Sequence, residues 1–241
     1  MTSNGGETLR LSEIYTSVQG EGPNTGDPTT FVRFGGCNLR CPGWGFGKLP
    51  DGTEVPGCDT VFAVYPEWRK TWAKLTPQEV FAQTPGSPAR ICITGGEPLI
   101  QPKDEMERYV SLLIRAGLVI DLFTNGTRPL PSWGAESVVT VVMDWKMPGS
   151  GEYGKFDVSN LRRLGAKDAI KFVVDGREDF ETALACAPIV KENCNAQLYF
   201  GAVWGKLAEG ELAQWVASEY PTGRLSVQLH KLMWNPDERR R

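Results

Sequence analysis

The chain has 241 residues, of which 41% are hydrophobic and 23% are charged, and this balance predicts a folded protein with a sizeable core. Its formal net charge of -3 argues against a nucleic-acid surface built on bulk positive charge. The N-terminal MTSNGGETLR lacks the apolar core of a signal peptide, and the longest apolar run, residues 138–143, is too short to cross a bilayer. We therefore expect a cytoplasmic protein without nucleic-acid or membrane partners, whose six cysteines serve a metal site in a reducing compartment.

The first predicted elements are two strands and a loop that carries cysteines. Residues 9–18 are predicted to form a strand ending in Gln19-Gly20-Glu21-Gly22, and residues 29–34 a strand leading through two glycines to Cys37. Three residues separate Cys37 from Cys41, and sixteen separate Cys41 from Cys58. Residues 42–57 are rich in Gly and Pro, which indicates a loop, with a small hairpin turning at Asp51-Gly52.

From Thr76 onward, helices and strands are predicted to alternate. Thr76-Pro77-Gln78-Glu79 has the pattern of a capping box with proline at the first helical position. A buried strand over 90–94 ends at Gly95-Gly96, and apolar residues at helical spacing predict a helix over 103–116. The remaining predicted strands are 119–124, 137–145, 169–174, 197–203 and 225–230, and the remaining predicted helices are 157–164, 179–186 and 209–220.

This alternation predicts an α/β fold with a parallel sheet and right-handed crossovers. Roughly six such units favour a modified, incomplete (β/α) TIM-type barrel, with one domain over residues 1–241 and its site at the C-terminal ends of the strands. An open doubly wound sheet is the competing fold. The polar and glycine-bearing stretches expected at those strand ends are 35–37, 94–98, 124–126, 144–146 and Gly201.

Three thiolates on one loop suit an iron–sulfur cluster better than a structural zinc site, which usually takes four protein ligands. A four-iron cluster held by three cysteines keeps one iron free for a ligand that is not protein. On the residues alone, three unrelated thiols or a zinc site completed elsewhere in the chain remain open. Cys92 and Cys186, in an apolar strand and a helix, are expected in the core, and Cys194 is either exposed or packed.

The motifs GGCNLRC, CDT and ITGGEP, in this order, resemble those of the radical S-adenosylmethionine superfamily. YTSVQGEG at residues 15–22 narrows the resemblance to the 7-carboxy-7-deazaguanine synthases, and the likeness runs from about residue 13 to 236. The resemblance implies that Cys37, Cys41 and Cys58 hold a 4Fe–4S cluster whose open iron binds the amino and carboxylate groups of S-adenosylmethionine. An electron from the cluster would then cleave the sulfonium and give a 5′-deoxyadenosyl radical.

The family's substrate is 6-carboxy-5,6,7,8-tetrahydropterin. Loss of a hydrogen from its C6, ring contraction and loss of ammonia give 7-carboxy-7-deazaguanine, a precursor of queuosine. The resemblance implies that Thr60 ligates a Mg²⁺ ion bridging to the substrate carboxylate. The residues matching the cofactor-binding positions are Gly96, Glu97, Asp144, Trp145 and Lys146. Those matching the substrate-binding positions are Val18, Gln19, Gly20, Glu21, Arg33, Thr94, His230 and Pro236.

Several of these residues also have simpler explanations. Glu21 is explained as a solvated turn residue, Arg33 as a surface charge and Thr60 as a helix cap. His230 is the only histidine, and a lone histidine near a chain end is more often structural or exposed than catalytic.

The sequence leaves other functions open beside the synthase activity, and it also predicts three partners. The rivals are a glycyl-radical activating enzyme of the same superfamily and a non-enzymatic zinc-binding domain, and a third possibility is a member of the same superfamily with another pterin or purine substrate. The expected partners are the small-molecule pterin, an electron donor such as flavodoxin or ferredoxin, and a second copy of the chain in a homodimer.

The chain departs from the family pattern in two places. The common family spacing places two residues before the third cysteine, so residues 42–57 are interpreted as an insertion within a cluster loop over 35–60. In the family the terminal region contacts substrate, whereas here residues 237–241 follow Pro236. The three arginines at the end of this tail are interpreted as solvated.

Overall fold

The computed structural model of the protein describes residues 7–235, so the prediction for Pro236 lies outside the described residues. The first part of the chain forms β1 (Leu9–Val18), β2 (Pro28–Phe34), β3 (Phe46–Lys48), β4 (Glu54–Pro56), α1 (Val61–Val64), β5 (Ala73–Leu75), α2 (Pro77–Gln83) and β6 (Arg90–Gly95). The second part forms α3 (Lys103–Arg115), β7 (Val119–Thr124), β8 (Val139–Lys146), β9 (Ala169–Val174), α4 (Arg177–Asn193), β10 (Gln197–Ala202), α5 (Glu209–Glu219), β11 (Arg224–Leu225) and α6 (Leu229–Met233).

Nine of the strands form one sheet in the order β11-β10-β9-β8-β7-β6-β2-β1-β5. Strands β2 and β6 to β11 run parallel, whereas β1 pairs antiparallel with β2 and with β5. Within the described part of the chain, the two edge strands β11 and β5 do not pair, so the sheet curves without closing. The prediction of an incomplete barrel is confirmed.

Successive residues along the parallel strands point to opposite faces of the sheet, and the two faces differ in chemistry. One face packs against the helices in the main hydrophobic core, with Val32, Ile93, Leu122, Met143 and Phe172 as examples from neighbouring strands. A residue adjacent to each of these along its strand faces a large cavity: Arg33, Thr94, Phe123, Asp144 and Lys171. The fold therefore collects polar side chains on the inside of the incomplete barrel.

Two local predictions are confirmed in the first half of the chain. Thr76 accepts a hydrogen bond from the Glu79 backbone N–H, and the Glu79 carboxylate accepts one from the Thr76 N–H, which completes the capping box of α2. Residues 42–57 contain the expected hairpin, in which β3 and β4 pair antiparallel around Asp51-Gly52.

The second half differs from the predictions in three elements. The segment 157–164 is a 3-10 helix over Val158–Arg163, and α4 extends well beyond 179–186 in both directions. The predicted last strand, 225–230, is wrong: β11 has two residues, and α6 follows it. The Ser226 N–H still bonds to the Phe200 carbonyl at 2.8 Å, but the Leu229 N–H bonds to the Gly20 carbonyl at 3.1 Å. The chain therefore leaves the sheet and turns toward the loop after β1.

Across residues 7–235, none of the helices combines the length and apolar character that a membrane crossing requires.

Candidate functional site

A cavity of about 970 Å³ opens at the C-terminal ends of the parallel strands. The cluster loop, the loop after β1, the ends of β6 to β10 and the C-terminal segment all contribute to its wall. The predicted site residues that line it are Val18, Gln19, Gly20, Glu21, Arg33, Cys37, Cys41, Cys58, Thr60, Thr94, Gly96, Asp144, Lys146 and His230. Glu97 and Trp145 are the two predicted residues within 7–235 that do not.

The three cysteines of the cluster loop share this cavity, and Cys37 is supplied with hydrogen-bond donors. The Leu39 N–H lies 3.4 Å from the Cys37 sulfur, and the Asn125 side-chain N–H lies 3.9 Å from it. Burial raises the pKa of Cys37 to about 11 and that of Cys41 to about 12, so these thiols keep their protons until a metal displaces them. The Cys41 backbone is left-handed, with φ of 47°, at the start of the insertion.

Three cysteine thiols on one cavity wall are the kind of donor set that a four-iron cluster takes. Within the described part of the chain, no three His, Cys, Asp or Glu side chains are grouped so that they could hold one metal ion. A four-iron cluster does not need that grouping, because each cysteine binds a different iron. Cys186 and Cys194 do not line the cavity, and Cys92 lies buried in β6 on the cavity side.

The two glycines after β6 allow close approach of two backbone segments. A Cβ on Gly95, whose φ is +140°, would lie 2.1 Å from the Phe34 carbonyl oxygen, and one on Gly96 would lie 2.2 Å from the Gly36 carbonyl oxygen. The Glu97 N–H also donates to the Gly36 carbonyl at 2.8 Å. The glycines therefore hold the end of β6 against the chain that leads into Cys37.

Glu97 and Trp145 contact other parts of the protein and do not line the cavity. The Glu97 side chain is fully buried and accepts hydrogen bonds from the Leu99 N–H at 2.9 Å, the Thr124 hydroxyl at 2.8 Å and the Asn125 N–H at 2.6 Å. Trp145 stacks on Phe156 with ring centroids 4.1 Å apart, on the core side of the sheet. We therefore place neither side chain among the ligand contacts.

Asp144 and Lys146, at the end of β8, do face the cavity and are paired with each other at 2.9 Å. The Lys146 ammonium also lies 3.9 Å from the centroid of the Trp44 ring, which the insertion supplies. Although burial opposes it, the carboxylate of Asp144 raises the pKa of Lys146, so the lysine is cationic. The second oxygen of Asp144, Oδ1, is buried and has no hydrogen-bond partner in the described structure. This oxygen is available to a donor on a bound ligand.

Arg33 is held in a fixed orientation. Its Nε donates to the Glu13 carboxylate at 3.0 Å, and its Nη2 donates to the Tyr15 hydroxyl at 3.1 Å. Its side chain is 14% exposed, so the explanation as an ordinary surface charge does not apply. A guanidinium oriented in this way is suited to binding a carboxylate.

His230 sits beside Gly20. A Cβ on Gly20 would lie 2.8 Å from the His230 Nδ1, so only glycine fits there without displacing the imidazole. Burial lowers the pKa of His230, which keeps the ring neutral down to a lower pH than usual.

Thr60 occupies the N-cap position of α1, yet its side chain makes no capping hydrogen bond. Its hydroxyl instead lies 3.2 Å from the Cys58 sulfur, facing the cavity. The helix-cap explanation for Thr60 is therefore not supported.

Comparison with known proteins identifies relatives of the chain. No protein-family model matches the chain. The chain is 33% identical over 246 residues to the 7-carboxy-7-deazaguanine synthase of Koribacter versatilis, which covers 95% of this chain and 98% of that one. It is also 33% identical over 229 residues to the synthase of Methanospirillum hungatei, with 95% and 86% covered.

The chain belongs to the 7-carboxy-7-deazaguanine synthase family. The fold of this family member is that of a solved structure, the crystal structure of QueE from Escherichia coli. The two align with a TM-score of 0.65 at 20% identity, over 92% of this chain and 95% of that one. The relatives favour neither the zinc-binding domain nor the glycyl-radical activating enzyme.

The predicted site residues did not include several that line the cavity, among them Lys171, Trp44 and Gln228. Lys171 had a usable signal, because it interrupts the apolar run Ala-Ile-Lys-Phe-Val of a buried strand, where lysine is rare unless it is paired. Trp44 and Gln228 had weaker signals, since Trp44 is an aromatic residue of the cysteine loop and Gln228 belongs to the segment around His230 that resembles a substrate-facing segment of the family.

Proposed function

We propose that this family member converts 6-carboxy-5,6,7,8-tetrahydropterin to 7-carboxy-7-deazaguanine with loss of ammonia, as a radical S-adenosylmethionine carbon–nitrogen lyase. The observation that carries the proposal is the similarity over nearly the whole chain to relatives named for this activity. The cavity supports it, because three cluster-loop thiols share one wall with an oriented guanidinium and several buried charges.

Cys37, Cys41 and Cys58 would hold the 4Fe–4S cluster, and their N–H and hydroxyl neighbours would stabilise the thiolates. When bound, the cluster and S-adenosylmethionine together supply a radical that removes a hydrogen atom from the substrate. Asp144, Lys146 and the backbone at Gly96 would bind the nucleotide, with the unpaired Asp144 oxygen accepting from one of its donors.

The remaining polar residues would bind the pterin. Arg33, held by Glu13 and Tyr15, would pair with the substrate carboxylate. Glu21 would accept from ring N–H groups, and neutral His230 would offer one donor and one acceptor. Val18, Gln19, Gly20 and Thr94 complete this part of the wall.

Anaerobic reconstitution with iron and sulfide, followed by reductant, S-adenosylmethionine and the carboxytetrahydropterin, tests the proposal directly. We expect bound iron and labile sulfide, and formation of 7-carboxy-7-deazaguanine detected by mass spectrometry. Cys58→Ser should lose iron and activity, whereas Cys194→Ser, a cysteine outside the cavity, should keep both. Formation of 5′-deoxyadenosine only when the pterin is absent would remove the substrate assignment.

We propose that Thr60 ligates a Mg²⁺ ion that also binds the substrate carboxylate. Its hydroxyl faces the cavity and is free of helix capping, which supports this role. Thr60→Ala should raise the Mg²⁺ concentration needed for half-maximal kcat/KM by about tenfold, whereas Thr60→Ser should stay near the wild-type value, because it keeps an oxygen ligand. An unchanged Mg²⁺ response in Thr60→Ala would mean that the metal binds elsewhere.

Two partners are proposed from the family resemblance: a flavodoxin or ferredoxin as electron donor, and a second copy of the chain. Light scattering at several protein concentrations tests the dimer, and activity with each reduced protein in place of a chemical reductant tests the donor.

A further inference from the structure

Lys171 is a buried cation between two carboxylates of the cavity. It lies in β9, its side chain is 10% exposed, and its ammonium is 2.6 Å from Glu21 Oε2. The same nitrogen is 3.5 Å from Asp144 Oδ2. A lysine at such depth is stabilised only by its partners, because transfer of an unpaired ammonium from water is costly.

Glu21 is held from two directions. Lys171 contacts one carboxylate oxygen, and the Gln228 side-chain amide donates to the other at 2.8 Å. These donors come from β9 and from the C-terminal segment, whereas Glu21 itself follows β1. The carboxylate plane is therefore fixed relative to the cavity, and each oxygen retains a lone pair for a ligand.

The charges around Glu21 decide its protonation. Burial by itself would raise the pKa of Glu21, but the charge of Lys171 and the bonds from Lys171 and Gln228 keep it below the ordinary value. Two further titratable groups near it act in opposite directions: His230, when charged, favours the carboxylate, and Glu209 repels it. Lys171 is the strongest of these favourable influences, so its loss leaves a buried carboxylate without a contacting cation.

We propose that Lys171 is a positioning residue that holds Glu21 as an oriented, acceptor-only carboxylate and so selects ligands whose ring edge presents neighbouring N–H donors. The inference rests on the proposed function, in which Glu21 contacts the substrate. An aminopyrimidinone edge has two adjacent N–H groups, and an ionised carboxylate accepts from both. A protonated Glu21 would place a hydroxyl donor against that edge, and a rotated carboxylate would turn an acceptor oxygen away from it; either change would weaken binding.

The first test measures the dissociation constant of the carboxytetrahydropterin by calorimetry between pH 5.5 and 9, on reconstituted enzyme without reductant. In Lys171→Met, the pKa of Glu21 rises, and below the new pKa the carboxylate is protonated. The low-pH limb of the affinity profile should therefore move to higher pH, with binding about tenfold or more weaker at pH 6 and partial recovery toward pH 9.

Lys171→Arg keeps the charge, so its dissociation constant for the pterin should remain within about threefold of the wild-type value at every pH. Lys103 is an exposed lysine on α3, and the dissociation constant of Lys103→Met should match that of wild type throughout. A Lys171→Met profile parallel to that of wild type would overturn the inference. Circular dichroism and the thermal midpoint establish that each variant is folded.

The second test does not depend on the substrate. The carboxyl carbon of Glu21, labelled with ¹³C and assigned by its absence in Glu21→Gln, is titrated by NMR in wild type and Lys171→Met. We expect the midpoint to rise by about one pH unit or more in the variant. An unchanged midpoint overturns the inference even if the enzyme makes the expected product. If the titration midpoint of Glu21 rises in Lys171→Met but the wild-type enzyme makes no 7-carboxy-7-deazaguanine, the role of Lys171 is supported and the proposed function is wrong.

Discussion

At the scale of single residues, Glu97 connects the ends of two neighbouring strands. Its carboxylate follows β6 and accepts from Thr124 and Asn125 at the end of β7. Asn125 in turn directs its side-chain N–H toward the Cys37 sulfur. The glutamate of the GGEP turn thus supports the cluster loop through the backbone and does not need to contact a ligand.

Glu97→Gln should destabilise the protein by about 2–4 kcal/mol, because the amide group would oppose one of the three buried donors and leave it unsatisfied. Urea unfolding at pH 7 measures the loss. Glu107→Gln, an exposed position on α3, is the matched control and should change stability by less than about 0.5 kcal/mol. Equal stabilities for the two variants would show that the three hydrogen bonds contribute little.

At the scale of elements, one of the contacts that hold the insertion against the rest of the protein is a close approach of two turns. A Cβ on Gly43 would lie 1.6 Å from the Gly149 carbonyl oxygen, so the turn Pro42–Trp44 packs directly on the turn Pro148–Ser150. This contact places the Trp44 ring over Lys146. The insertion therefore contributes to the wall of the cavity.

Gly43→Ala should separate the insertion from this surface, because neither backbone can move away cheaply. We expect faster hydrogen exchange over 42–57 and a loss of roughly 1–3 kcal/mol in stability, measured by mass spectrometry and urea unfolding. Gly86→Ala is the control, since a Cβ there meets nothing within 4 Å. Unchanged exchange over 42–57 in Gly43→Ala would contradict the attachment.

The capping box of α2 provides an element-scale prediction that is independent of the site. Thr76→Ala removes the side-chain acceptor for the Glu79 N–H and should lower stability by about 1 kcal/mol. Thr222→Ala, at another exposed threonine, should have little effect in the same denaturation assay. If Thr76→Ala lowers the free energy of unfolding no more than Thr222→Ala does, the capping box is not formed in solution.

At the scale of the whole molecule, the C-terminal segment crosses from the sheet edge to the opposite side of the cavity. Leu229 and Gln228 contact the loop after β1, and Lys231 pairs with Asp59 of the cluster loop at 3.0 Å. The segment therefore joins three parts of the cavity wall that the sheet itself leaves apart.

Lys231→Met should release this segment while leaving the core intact. Asp59 is 53% exposed, so the ion pair is expected to contribute no more than about 1 kcal/mol to global stability. Hydrogen exchange over 226–233 should nevertheless rise, because that contact anchors α6. Lys103→Met is the charge-matched control. Exchange in 226–233 that stays at the wild-type rate would contradict the anchoring.

Much of the fold followed from local patterns. Periods of two and of 3.6 residues identified most of the strands and helices, and the Thr76 cap and the 51–52 turn each depend on neighbouring residues only. Most of the predicted site residues lie on the cavity wall, because parallel strands bring their C-terminal ends together whatever the details of packing.

The sequence by itself determined the alternation of strands and helices, the cysteine loop and the family motifs, because these depend on periodicity and on short segments of the chain. Only the tertiary structure decided that Lys171 faces Glu21, that Glu97 supports the backbone and that the last predicted strand becomes a helix. The physical reason is that such outcomes depend on which distant groups share one buried volume, as Glu21 and Lys171 do across 150 residues. Desolvation makes each buried charge require a partner, but that requirement does not identify the partner.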